Sequence, residues 1–235
     1  MAYTNIDDPS AYFQTATYAG NGGTQSITND GNSDMQPDWI WTKSRSDSSF
    51  HLVTDSTRGT TKRIYPNSTA AEETHSNMVT AFNSDGFSIG DHSAINTNGY
   101  NYVGWQWKAN GGTTTAFSES GSNPGGTRQT NTAAGFSIIA YTGTGSNGTI
   151  AHGLPSTPEF LIFKRRDATQ FWCVWHQAIG DDYKLALHLS DGLDADGAFM
   201  ASTLPTSTNI TVGGASVNTN ADNGTYICYA FSPIQ

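Results

Sequence analysis

The chain has 235 residues, 36% of them hydrophobic and 11% aromatic, which is enough to bury a core in one large domain or two small ones. Only 13% are charged and the formal net charge is −9, so a surface that tracks phosphates with clustered Lys and Arg is excluded as the main role. Ser, Thr, Asn and Gly must solvate most of the exterior, while the Trp, Tyr and Phe content argues for an ordered chain.

Residues 1–12 hold no basic region followed by an apolar run, so no signal peptide is expected, and they read as an N-terminal arm. No apolar stretch approaches the ~20 residues of a membrane span, so no membrane insertion is expected. The first strand-like run is Phe13-Gln-Thr-Ala-Thr-Tyr18, followed by Pro37-Asp-Trp-Ile-Trp-Thr-Lys43 and Phe50-His-Leu-Val53. Turn dipeptides such as Asn21-Gly22, Asp30-Gly31 and Asp85-Gly86 separate the runs, with Gly taking the positive φ that tight hairpins demand. Thr69 to Val79 is the one stretch expected to form a short helix, because Ala70, Ala71, Glu72 and Glu73 sit together. Tyr100-Asn-Tyr-Val-Gly-Trp-Gln-Trp107 closes this half; Val103, Trp105 and Trp107 share a face expected to be core, and Tyr100 and Tyr102 point the other way. Residues 109–134 are rich in Gly, Ser, Thr and Asn and read as a linker or long surface loop.

The second half repeats the first. Phe136-Ser-Ile-Ile-Ala-Tyr141 answers the opening run at an offset of 123 (136 − 13), and Pro158-Glu-Phe-Leu-Ile-Phe-Lys164 answers Pro37–Lys43 at 121 (158 − 37). Phe171-Trp-Cys-Val174 answers Phe50–Val53, Asn218-Thr-Asn220 answers Asn96-Thr-Asn98, and Tyr226–Phe231 answers Tyr102–Trp107. The expected fold is all-β, with two tandem β-sandwich (jelly-roll-like) repeats at 13–108 and 135–235 and seven or so strands in each.

Candidate chemistry is sparse. Glycoside hydrolysis needs two facing carboxylates, one with a raised pKa, and the chain has only Glu72, Glu73, Glu119 and Glu159 besides Asp residues in turns. There is no G-x-S-x-G, and the six histidines lack metal-ligand spacing. Asp191-Gly-Leu-Asp194-Ala-Asp196-Gly197 is the one stretch able to wrap Ca²⁺, although it lacks the following bidentate Glu and reads more simply as two turns. No other cofactor is expected. Cys173 and Cys228 lie in strand-like runs and read as buried thiols, with one bridge between neighbouring strands as the alternative. Tyr100, Tyr102 and Trp172 fall out of phase with their apolar neighbours, which makes them candidates for a partner interface or a sugar-stacking platform.

Thr149-Ile-Ala-His152-Gly153-Leu154-Pro-Ser-Thr-Pro158, followed by a hydrophobic strand and Lys164-Arg165-Arg166, resembles a T-I-x-H-G-L-x-x-x-P stretch in tail-fibre-like virion structural proteins of tailed bacteriophages, especially those of marine bacteria. Ile6-Asp-Asp-Pro-Ser-Ala-Tyr-Phe-Gln14 and Tyr65-Pro-Asn-Ser-Thr-Ala-Ala-Glu72 are similar to the same group. The resemblance implies a non-enzymatic virion protein on the particle surface, a capsid decoration or a tail appendage. It would contact other virion proteins and form homo-oligomers, and it brings no catalytic residues with it. Two rival readings are a lectin-like adhesin for host surface glycan and a polysaccharide hydrolase.

Overall fold

The computed structural model describes residues 6–234, which fall into two compact units. The first comprises Ile6–Asn67 and Glu72–Gly112; the second comprises Ser68–Ala71 and everything from Thr113 onward.

The first unit holds β1 (Phe13–Ala19), β2 (Gln25–Ile27), β3 (Trp39–Ser44), β4 (Leu52–Asp55), β5 (Lys62–Arg63), β6 (Glu73–Thr74), β7 (Val79–Phe82), β8 (Phe87–Ile89) and β9 (Asn101–Trp107). An antiparallel sheet runs β1-β9-β3-β4, and a smaller one runs β2-β8-β7. Phe87 of β8 lies against Gly104 of β9, where a Cβ would come within 3.2 Å of its ring, and meets the Tyr18 ring edge-on at 6.1 Å. The inward face of the larger sheet is therefore the one with Ala16, Tyr18, Ile40, Thr42 and Tyr102. Val103, Trp105 and Trp107 lie on the opposite face, and the two Trp are half-buried. The sequence pattern thus assigned the wrong phase to β9. Both of its faces carry large apolar groups, so alternation does not reveal which one meets the second sheet.

The second unit holds β10 (Thr115–Phe117), β11 (Gly125–Asn131), β12 (Phe136–Thr142), β13 (Gly148–Ala151), β14 (Phe160–Arg165), β15 (Trp172–His176), β16 (Tyr183–Ala186), β17 (Asp194–Ala195), β18 (Asn209–Val212) and β19 (Thr225–Phe231). Its sheet runs β10-β11-β12-β19-β14-β15-β16-β17, with β13 and β18 paired separately. Ile139, Leu161, Phe163, Trp175 and Tyr226 from the sheet pack with Ile150, Ile210 and Val212 from that pair and with Phe199 and Met200. The central order β12-β19-β14-β15 is the order β1-β9-β3-β4 of the first unit. The registers match too: Phe13↔Trp107↔Trp39 in one unit and Phe136↔Phe231↔Phe160 in the other.

Three local expectations change. The stretch 109–134 contains β10 and β11 instead of being only a linker. The polar β11 pairs with β12 along its whole length, and Gly126 is required there because a Cβ would stand 2.1 Å from Ala140 O. Thr69 to Val79 forms no helix: Glu72 and Glu73 are drawn into ion pairs with Arg58 and Arg63. The only α-helical turn among the described residues is Ser93–Asn96. Of the N-terminal arm, residues 1–5 lie outside the described part. Asp8 is held by hydrogen bonds from Ser10 N–H and Ser33 Oγ at 2.9 and 2.6 Å, which ties the following residues to the first unit.

Candidate functional site

Two of the three aromatics singled out in the sequence, Tyr102 and Trp172, turn inward. Tyr102 is 1% exposed: its OH donates to Ser93 O at 3.2 Å and accepts Thr97 N–H at 2.9 Å, and its ring stacks on Tyr18 at 5.2 Å. Tyr226 repeats the arrangement, donating to Val217 O, accepting Ala221 N–H and stacking on Tyr141 at 5.1 Å. Burial raises the pKa of Tyr18, Tyr141 and Tyr226, so these phenols stay neutral donors. Asn96, fully buried, donates to Gly90 O and Gly23 O and accepts Asn21 N–H; Asn220 donates to Ser146 O and accepts Thr144 N–H. The hydrogen bonds therefore match Asn96 with Asn220, rather than with Asn218 as the triplet alignment had it.

Trp172 is 1% exposed and donates to Ser68 O, so it too is no stacking platform. Beside it, buried Lys164 donates to Thr69 O, Arg165 O and Gln170 O at 2.7–3.2 Å, and burial lowers its pKa to about 8. Together these bonds fasten Ser68–Ala71 into the second unit. Of the three aromatics, only Tyr100 is exposed, at a turn. Asp194 and Asp196 each lie 2.6 Å from Lys184 Nζ, so an ammonium stands where Ca²⁺ would have to sit, and Asp191 is exposed apart from them. Among the described residues no group of three His, Cys, Asp or Glu side chains is arranged to hold a metal. Cys173 and Cys228 are free and buried. Both pair with Phe163 from opposite sides, so two strand spacings, roughly 9.6 Å, separate them and no bridge can form. Burial pushes the Cys173 thiol up to about 12, which makes it inert as a nucleophile.

One cleft in the first unit was not anticipated. It encloses about 370 Å³ between Asp47, Ser49, Phe50, Arg63, Tyr65 and His92. The loop after β3 is stiffened by Asp47, which accepts Ser49 N–H at 3.0 Å and Ser49 Oγ at 2.7 Å, and by Lys43, which donates to Asp47 O. That loop presents Phe50 at 55% exposure, its ring edge against Tyr65 at 5.3 Å. Tyr65 OH and Arg63 Nη2 both donate to Glu73 Oε2 at 2.7 Å. The Arg63 guanidinium, then the Tyr65 hydroxyl, hold Glu73 down to about 2, the reverse of what a general acid needs. His92 Nδ1 accepts Ala94 N–H, so its neutral ring carries a proton on Nε2, and burial lowers its pKa. The arrangement offers an aromatic shelf with a polar rim. It offers no paired carboxylates of opposed pKa and no hydroxyl poised on a histidine, since Ser49 donates to a carboxylate.

Fold and cleft define an all-β sandwich protein whose loops are pinned by buried polar side chains and which carries an aromatic-lined cleft on its first unit. The chain belongs to the family described as "Domain of unknown function (DUF7483)", whose model matches residues 8–235. No curated protein and no solved structure matches it. Among the described residues no helix is long and apolar enough to cross a membrane.

Proposed function

We propose that this chain is a non-enzymatic structural protein displayed on the surface of a bacteriophage particle, as a capsid decoration or tail appendage, and held there by contacts with other virion proteins. The observation that carries this reading is the doubled scaffold. Two sheets with one strand order each fix their loops by the same buried Asn amide and Tyr pair, which is the outcome expected of a duplicated module kept for its rigidity. The stretch behind the phage resemblance has a structural explanation of the same kind. His152 Nδ1 accepts Leu154 N–H across Gly153, whose φ is +74°, and Leu154 enters the core. A Cβ on Gly153 would stand 2.8 Å from Arg128 Nε and from Thr130 Oγ1. That motif builds a corner and leaves no reactive group exposed.

Homo-oligomers follow from the symmetry of particle appendages. The test is mass spectrometry and immunogold labelling of purified particles of the virus that encodes the chain. Stoichiometric presence on the particle exterior is expected, and absence from the particle rejects the proposal. Release of reducing ends from host polysaccharide by the purified chain would reject its non-enzymatic part.

A further inference from the structure

The cleft on the first unit is not accounted for by a purely structural role. Phe50 is a large apolar side chain standing more than half exposed on a loop tied down by Asp47 and Lys43, so its exposure is a fixed feature of the folded loop. Its ring and Tyr65 form a shelf, and the polar groups around it include short hydroxyls, a carboxylate and an imidazole N–H. The cationic Arg63 already faces Glu73. Asp47 at the rim repels an anionic ligand. A volume of about 370 Å³ takes one or two sugar rings and is far too small for a protein segment of interface size.

We propose that this cleft binds an uncharged pyranose, with the apolar C–H face of the sugar stacked on Phe50 and its hydroxyls bonded to Asp47, Ser49 and His92 Nε2–H. The cleft alone supports this, and the site works equally on or off a particle. An open site with one exposed ring and few rim donors gives a dissociation constant on the order of 1–10 mM for a single sugar, so useful attachment would need several copies acting together.

Saturation-transfer NMR on the full chain tests this. The probes are glucose, galactose, mannose, N-acetylglucosamine and lactose, with glucuronic acid as the anionic comparison, each at about 10 mM, near the expected dissociation constant. At least one neutral sugar should receive saturation on one face of its ring. Phe50→Ala, shown folded by an otherwise unchanged ¹H–¹⁵N spectrum, should weaken binding about fivefold or more. Phe171→Ala, the matching exposed Phe of the second unit, should leave it intact. No transfer to any neutral sugar, equal transfer in Phe50→Ala, or stronger transfer to glucuronic acid would each overturn the proposal.

Discussion

The ladder that ends in the cleft has a counterpart in the second unit, and the two differ where a ligand would sit. In the first unit Val53 pairs with Ile64 and Arg63 with Glu73; in the second Val174 pairs with Leu185 and Lys184 with Asp194. The cation–carboxylate cross-strand pair is thus present twice. Around it, Tyr65 gives way to Ala186, and His92, whose carbonyl accepts the Asn96 N–H, gives way to Ser216 in the same role toward Asn220. Phe50 and Phe171 both stay exposed, but Phe171 meets the edge of His188 at 4.8 Å instead of a tyrosine shelf. Lys184 is gripped by two carboxylates, whereas Glu73 collects hydrogen bonds from Arg63, Tyr65 and His75. Scaffold and loop pins are common to both units; the aromatic partner of the exposed Phe is a tyrosine in the first and a histidine in the second. Binding chemistry can diverge on loops while the sheet order is held, because loop substitutions leave the buried ladder untouched.

The buried amides should give the largest effect. Asn96→Ala leaves Asn21 N–H and Gly90 O unpartnered, and Asn220→Ala does the same to Thr144 N–H and Ser146 O. With two hydrogen-bonding groups stranded and the buried amide itself removed, each variant should lose about 2–3 kcal/mol in denaturant unfolding. Equal losses would support the equivalence of the two pins. A loss under about 0.5 kcal/mol at one site alone, the size of an ordinary surface change, would break it. Tyr102→Phe and Tyr226→Phe come next. Each keeps the ring stack and deletes one hydroxyl that serves a donor and an acceptor, so a loss of about 1–2 kcal/mol is expected at both positions.

Much of this scaffold was legible before the structure. The runs that became β1, β3, β9, β12, β14 and β19 stand out by their aromatic and β-branched residues and by their order in both halves. β11 was not legible, because Gly-Gly-Thr-Arg-Gln-Thr-Asn has no apolar alternation; it is a strand by virtue of its ladder to β12 and because Arg128 and Thr130 donate to Ala151 O and His152 O. Tyr102 and Trp172 were misplaced for a different reason. In a strand with large groups on both faces, the buried side is decided by what packs on it, and Trp172 is covered by Ser68, about a hundred residues away in the chain. The cleft was invisible because it gathers Phe50, the Arg63–Tyr65 pair and His92 from three separate segments, none of which by itself points to a binding site.

The acid limb of stability sharpens the comparison further. Glu73 is depressed to about 2 in the folded chain, against 4.5 for a free glutamate. Its contribution is fully present above pH 5 and is lost as pH falls through the window from about 4.5 to 2, because the unfolded chain takes up that proton first. The Glu73 side chain is 44% exposed, so solvent screening reduces the effect to about 1–2 kcal/mol. Glu73→Gln should therefore flatten the pH dependence of stability between about pH 5 and 2, with the largest loss at neutral pH and little change near pH 2. An unchanged acid slope in that variant, measured by urea unfolding at stepped pH, would mean that the cluster beneath the cleft is not held by charge.

The smallest stability effect should come from the two exposed phenylalanines, and it is informative because it is small. Phe50 and Phe171 are 55% and 41% exposed, so truncating either to Ala removes little buried area and leaves no closed cavity. Each should change the unfolding free energy by less than about 1 kcal/mol. If Phe50→Ala instead destabilised by 2 kcal/mol or more, Phe50 would be a packing residue of the first unit, and its exposure would need no ligand to explain it. If both changes are near neutral, keeping a large aromatic at position 50 gives no advantage in folding. The reason for its place on a stiffened loop beside Tyr65 and His92 must then lie in what it touches outside the chain.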